Sequence, residues 1–224
     1  MPRLGPGARA EIGAAVLAAA ETMDTQLVQH RLTAFAATHA RYVAAQRVVE
    51  AADRKVADAA AVVRRRNGGQ DAAVESLTRA LMGEHQPRAN PFRGFGVPSP
   101  AVLQRLAAAT KAQAIHKLVA AAQRLNGCTA STLKAAQTAD AAAFAVEQAL
   151  ASMLPLAAAA HTARLPRDAV GQQWNQDLAA LKRRARSAAD DGALHLHAML
   201  FRSVRRTARK KARGAKRERS QQVR

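Results

Sequence analysis

The chain has 224 residues and a formal net charge of +19, and 49% of its residues are hydrophobic. More than half of those hydrophobics are Ala, and Leu, Ile, Val and Phe together make up only 43 of the 224 positions. Such a composition excludes a thick aliphatic core and predicts abundant helix, because Ala loses no side-chain entropy on folding while burying little apolar surface. Cys128 is the only cysteine, which excludes an intrachain disulfide and fits a reducing intracellular compartment.

Near the N-terminus, Arg3 and Arg9 precede a mild apolar run, Ile12 to Ala20, with the outline of a signal peptide. Glu11 interrupts it and the periodicity continues through Met23 and Leu27, so it reads as the start of a first helix. From Val28 the bulky positions Phe35, Tyr42, Val49, Val56 and Val63 recur every seven residues, with Thr38, Ala45, Ala52 and Ala59 three further on. A heptad with bulky and small positions predicts a tight helical hairpin or an intermolecular pair. Phe35, Tyr42, Val49 and Val56 are therefore candidate partner-binding residues. Without a proline between Arg9 and Arg66, one helix of about 85 Å is possible at 1.5 Å per residue, unless a break is hidden in it. Arg64, Arg65 and Arg66 suit the negative end of its dipole, and Asn67-Gly68-Gly69 predicts its stop. A shorter helix is expected from Gln70 to Met82, ending at Gly83.

Gly83 to Pro100 holds Pro87, Pro91, Pro98 and Pro100 with Gly94 and Gly96, which makes it the clearest linker. Phe92 and Phe95 within it either staple the connection to the helices or dock a partner. After Ser99-Pro100 a helix carrying Val102, Leu103, Leu106, Ile115, Leu118, Val119 and Leu125 is expected to end at Asn126-Gly127. Another starts near Ser131 with Ala143, Val146, Leu150 and Met153 on one face; Pro155 should interrupt or kink it, and Pro166 should end the turn that follows. Val170, Trp174, Leu178 and Leu181 mark the next helix, with Lys182, Arg183, Arg184 and Arg186 at its C-terminal end. Asp190 and Asp191 are candidate N-caps for the last helix, whose stripe is Leu196, Leu200 and Val204. No apolar run near 18 residues is evident to span a bilayer.

The last 23 residues carry eleven cations against the one acid Glu218, a net +10 of the chain's +19. Plotted at 100° per residue, Arg202, Arg205, Arg206, Arg209, Lys210, Arg213, Lys216 and Arg217 fall within an arc of about 140°, while the apolar stripe continues as Ala208, Ala212 and Ala215. A cationic arc matches a phosphate backbone, and Arg can fork two donors onto phosphate oxygens. Scarce aromatics, 3% overall, argue against stacking on bases and for phosphate contacts with little sequence specificity. Lys182, Arg183 and Arg186 join this candidate nucleic-acid-binding set. An anionic membrane surface is a weaker candidate, because the opposite face is Ala rather than Leu or Phe.

Enzymatic and cofactor chemistry find no motif. None of His30, His39, His85, His116, His161, His195 and His197 belongs to HExxH or to Glu-x-x-His, and no GxxxxGK[ST] loop occurs, so no metal or cofactor is expected. The sequence predicts an all-α, elongated helical bundle or long helical hairpin with coiled-coil character, divided at 1–83, a linker at 84–100, a second helical portion at 101–201 and a basic helix and tail at 202–224. The functional expectation is a non-enzymatic nucleic-acid-binding structural protein. A helical assembly protein, forming homo-oligomers or holding a protein partner through the long helix and the Phe92/Phe95 loop, is the alternative.

Overall fold

Helix propensity and heptad burial together set the architecture of the computed structural model, which describes residues 5–125 and 128–202. The described residues form six α-helices and no strand: α1 (Pro6–Ala20), α2 (Gln29–Gly83), α3 (Pro100–Gln104), α4 (Ala108–Ala122), α5 (Ala130–Ser187) and α6 (Leu196–Leu200). The fold is all-α, as the Ala-rich composition dictates.

The first expected helix is two. Local side-chain bonds compete with the helix after Ala20: Thr22 Oγ1 donates to the Ala19 carbonyl at 2.9 Å, and Asp24 Oδ1 accepts the Gln26 N–H at 3.0 Å. The expected stop at Asn67-Gly68-Gly69 does not occur, and α2 runs on to Gly83. Each Gly costs a helix about 1 kcal/mol relative to Ala, whereas burying one Leu or Val contributes about 1.5–3 kcal/mol. Val74, Leu77 and Leu81, all buried beyond the glycines, therefore outweigh them.

The proline breaks are absent for a similar reason. Helix α5 passes through Pro155 and Pro166 without ending. Each should cost about 3 kcal/mol by removing a bond to the carbonyl four residues earlier. Ala151 and Thr162, which own those carbonyls, are exposed, so water can satisfy them, and Trp174, Leu178, Leu181 and Ala185 downstream are all buried. Continuity also corrects the reading of the bilayer signal: by length and composition, α5 contains an 18-residue stretch apolar enough to cross a membrane, and little of it is buried. Conversely, the single helix expected after Pro100 is split into α3 and α4 at Arg105–Ala107. At the C-terminal end Asp191 does not cap α6; it pairs with Arg184 at 3.3 Å, and His195 occupies the N-cap position.

The helices sort into two compact units, Met1–Ala51 with His161–Arg224 and Ala52–Ala160. The division falls inside α2 and α5 rather than at the Pro/Phe linker. In the first unit, Ile12 and Val16 of α1, Phe35 and Tyr42 of α2, Trp174, Leu178 and Leu181 of α5, and Leu196 and Leu200 of α6 form one core. In the second, Val74, Leu77 and Leu81 of α2 meet Ile115 and Leu118 of α4 and Ala136, Ala139 and Ala143 of α5. The linker closes this second core: Phe92 is fully buried in it and Phe95 packs against it. Gly96 allows the turn that follows, with φ +67°.

Candidate functional site

The start of the basic C-terminal segment is held by the first unit. Leu196 and Leu200, one face of α6, are buried with Phe201 against α1 and the end of α5, as their four-residue step requires. The cations at the end of α5 divide by role. Lys182 lies over the Phe201 ring, 5.4 Å from its centroid, and burial followed by the nearby Arg186 charge holds its pKa below the usual lysine range. Arg184 donates from Nε to the Leu27 carbonyl at 3.0 Å. Arg186 is exposed and donates from Nε to His197 Nε2 at 3.3 Å, while Arg183 and Arg202 are exposed. Arg183, Arg186 and Arg202 therefore offer charge to solvent on the unit from which the basic segment departs. Arg205, Arg206, Arg209, Lys210, Arg213, Lys216 and Arg217, with Val204 of the expected stripe, lie outside the described residues.

The expected partner-binding residues are mostly taken up inside the chain. Phe35 and Tyr42 are fully buried, with ring centroids 5.5 Å and 6.3 Å from Trp174. Tyr42 also donates its hydroxyl to the Pro6 carbonyl at 3.1 Å. Val49 is buried, Phe92 belongs to the core of the second unit, and Val56 is half-buried. Of the small positions, Thr38 is buried, but so is its neighbour His39.

Sequence reading missed three polar clusters. His39 stacks on Phe35 at 6.0 Å and its Nδ1 accepts the Trp174 Nε1–H at 3.2 Å. Burial holds its pKa below the ordinary histidine value. Beside it, Thr38 Oγ1 donates to Asp177 Oδ2 at 2.6 Å. In the second unit Lys111, 1% exposed, pairs through Nζ with Asp71 Oδ1 at 2.6 Å. The adjacent Gln70 is fully buried with neither amide atom bonded. His116 bridges Asp140 Oδ1 at 2.6 Å and Glu147 Oε2 at 3.3 Å. Burial opposes its charge, yet the bonds and charges of the two carboxylates outweigh this and raise its pKa. The available signal was positional: Lys111 shares a helical stripe with Ile115, Leu118 and Ala122, and Asp140 and Glu147 are seven residues apart.

No group of three or more His, Cys, Asp or Glu able to hold a metal is found among the described residues. The Cys128 thiol is pushed up by burial and then by Glu84, which disfavours a reactive thiolate. An open cleft of about 440 Å³ lies among Met23, Leu27, Leu194 and Met199, and its acids are engaged: Asp24 with the Gln26 N–H, Asp191 with Arg184. Comparison with protein-family models, with curated proteins and with solved structures gives no match for this chain.

Proposed function

We propose that this chain is a structural nucleic-acid-binding protein, in which a helical frame with coiled-coil character presents a basic C-terminal segment to phosphate backbones. The observation that supports it is the concentration of a net +10 charge in residues 202–224. That segment follows directly on α6, whose Leu196 and Leu200 are buried in the first unit, beside the exposed Arg183 and Arg186. The cations act by neutralising phosphates and releasing counterions, a mechanism indifferent to base sequence. No catalytic step is assigned.

The test is binding of duplex DNA and of single-stranded RNA by the full chain and by a chain ending at Phe201. The full chain should bind both with an affinity that falls by orders of magnitude between about 50 and 200 mM salt. Equal affinity and equal salt slope for the shortened chain would refute the proposal.

A further inference from the structure

Charge in the second unit is unevenly placed. Residues 52–84 carry six cations and five acids, and residues 140–160 carry two acids and no Lys or Arg. Between them, residues 85–139 hold seven cations and neither Asp nor Glu. One of the seven, Lys111, is buried and held by Asp71. The other six, Arg88, Arg93, Arg105, Lys117, Arg124 and Lys134, are all exposed, and none of them forms an ion pair among the described residues. Of the acids on neighbouring stretches, Asp140 and Glu147 are engaged by His116. Glu84 accepts the Thr129 N–H at 2.9 Å and Glu75 accepts from Gln104 of α3 at 3.5 Å, both neutral donors. Two such acids against six exposed cations leave this surface strongly positive.

The fold gathers these cations around one core. Phe92 of the linker, Leu103 of α3, Ile115 and Leu118 of α4, and Ala136 and Ala139 of α5 are buried together. Both α3 and the short 3-10 turn Arg93–Phe95 contact α4. Arg93 adjoins Phe92, Arg105 stands at the turn between α3 and α4, Lys117 adjoins Leu118, Arg124 follows it by seven residues, and Lys134 is two residues before Ala136. Elements sharing a core stand about 8–10 Å apart, close to one Debye length at about 0.1 M salt, so the fields of these charges add. Helix α4 is about 22 Å long, and a duplex presents about one phosphate charge per 1.7 Å of its axis, so about thirteen phosphates lie within one length of α4.

Charge complementarity and the character of the uncharged residues select the occupant. Within 85–139, Phe92 is buried and Phe95 half-buried, which leaves no exposed ring on which a base could stack. Val102 is the exposed large hydrophobic among the described residues of this stretch, too little apolar surface to enter a bilayer. Arg side chains can fork two donors onto phosphate oxygens whatever the base sequence. We propose that Arg88, Arg93, Arg105, Lys117, Arg124 and Lys134 form a second phosphate-binding surface, which holds the backbone of a nucleic-acid duplex. This surface presupposes the nucleic-acid-binding reading of the chain but not the contribution of residues 202–224.

The experiment is fluorescence anisotropy with duplex DNA between about 50 and 200 mM salt, for the full chain and for the chain ending at Phe201. In the full chain, Arg93→Glu/Arg105→Glu/Lys117→Glu should reduce the slope of log K against log salt by about 3, close to 1 for each lost contact. The chain ending at Phe201 should still bind the duplex at about 50 mM salt, and the same triple reversal should abolish that binding. Arg31→Glu/Arg41→Glu/Arg47→Glu reverses three exposed cations of the first unit, so it reaches the same net charge, yet it should keep the native slope. If the first triple variant loses helix by circular dichroism, Arg93→Gln/Arg105→Gln/Lys117→Gln reads the same surface. A native slope in the full-chain variant, an equal loss in the first-unit variant, no binding by the chain ending at Phe201, or its binding to phosphatidylserine vesicles in preference to the duplex would overturn the inference. Equal binding by the full and shortened chains, lost on the triple reversal, would support this surface while refuting the role of residues 202–224.

Discussion

The indole N–H of Trp174 donates to His39 Nδ1 across 3.2 Å, inside a core where Phe35 stacks on the same imidazole. The bond requires the proton to sit on Nε2, so His39 is neutral in the folded protein, in agreement with the burial that lowers its pKa. Unfolding returns His39 to its ordinary value of 6.5, so below that pH the unfolded chain takes up the proton that the folded chain refuses. This contribution is complete above the unfolded value and is lost as pH falls through it toward the folded one.

His116 must behave in the opposite sense. Its folded pKa lies above 6.5, so the stabilisation from Asp140 and Glu147 is complete below the unfolded value and disappears as pH rises through the folded one. A proton NMR titration should therefore show one imidazole ionising below the ordinary range and another above it. His39→Gln should abolish the first and His116→Gln the second. Coincident titration of both near 6.5 would contradict the two environments.

Gly13 owes its identity to the same imidazole. A Cβ built there would clash with Nδ1 and Cε1 of His39, and that ring is held by Phe35 and Trp174 rather than free to swing away. Gly13→Ala should thus destabilise by about 1–3 kcal/mol through overpacking, outweighing the gain of up to about 1 kcal/mol that Ala usually brings to a helix. In a Gly13→Ala/His39→Ala double variant the methyl gains room, and the cost should be less than the sum of the singles. Urea midpoints of the four proteins measure this coupling.

The ion pair of the second unit invites a different experiment. Lys111 is almost completely buried while Asp71 keeps 31% of its side-chain exposure, so only the lysine bears a full desolvation cost. Removing it by Lys111→Ala opens a cavity and leaves Asp71 to water on one side, for an expected loss of about 2–4 kcal/mol. Lys111→Met with Asp71→Asn should recover most of that loss, because Met fills the stem's volume and Asn keeps a polar group at the half-exposed position. Chemical denaturation followed by circular dichroism distinguishes the two.

Those polar residues show where sequence reading stops. Helix type and the apolar faces could be read from Phe35, Tyr42, Val49 and Trp174, whose spacing survives any tertiary arrangement. Helix ends could not: Gly68-Gly69, Pro155 and Pro166 carry strong local signals that the burial of Leu77, Leu81, Trp174 and Leu181 overrides. The burial of Lys111 and His39 could not be read, because a charged or titratable type on an apolar stripe has no local mark of its partner. Asp71 is 40 residues away from the first and Trp174 is 135 from the second. Phe92 was half legible, since an aromatic in a proline-rich connection can cover its own core or another protein's, and only the packing decides.

Charge at the end of α5 can be separated from charge in residues 202–224 through the salt dependence of binding. Arg183 and Arg186 are exposed on a helix fixed by Leu181 and Ala185, so reversing them should leave the fold intact. If both contact phosphate, Arg183→Glu/Arg186→Glu should weaken duplex binding and reduce the slope of log K against log salt by about 2, close to 1 for each lost contact. Lys182→Met, which removes a cation lying over Phe201 rather than one offered to solvent, should leave that slope unchanged and lower thermal stability instead. Fluorescence anisotropy with a duplex at four or more salt concentrations gives each slope. A native slope in the double variant would restrict the phosphate contacts to the segment beyond α6.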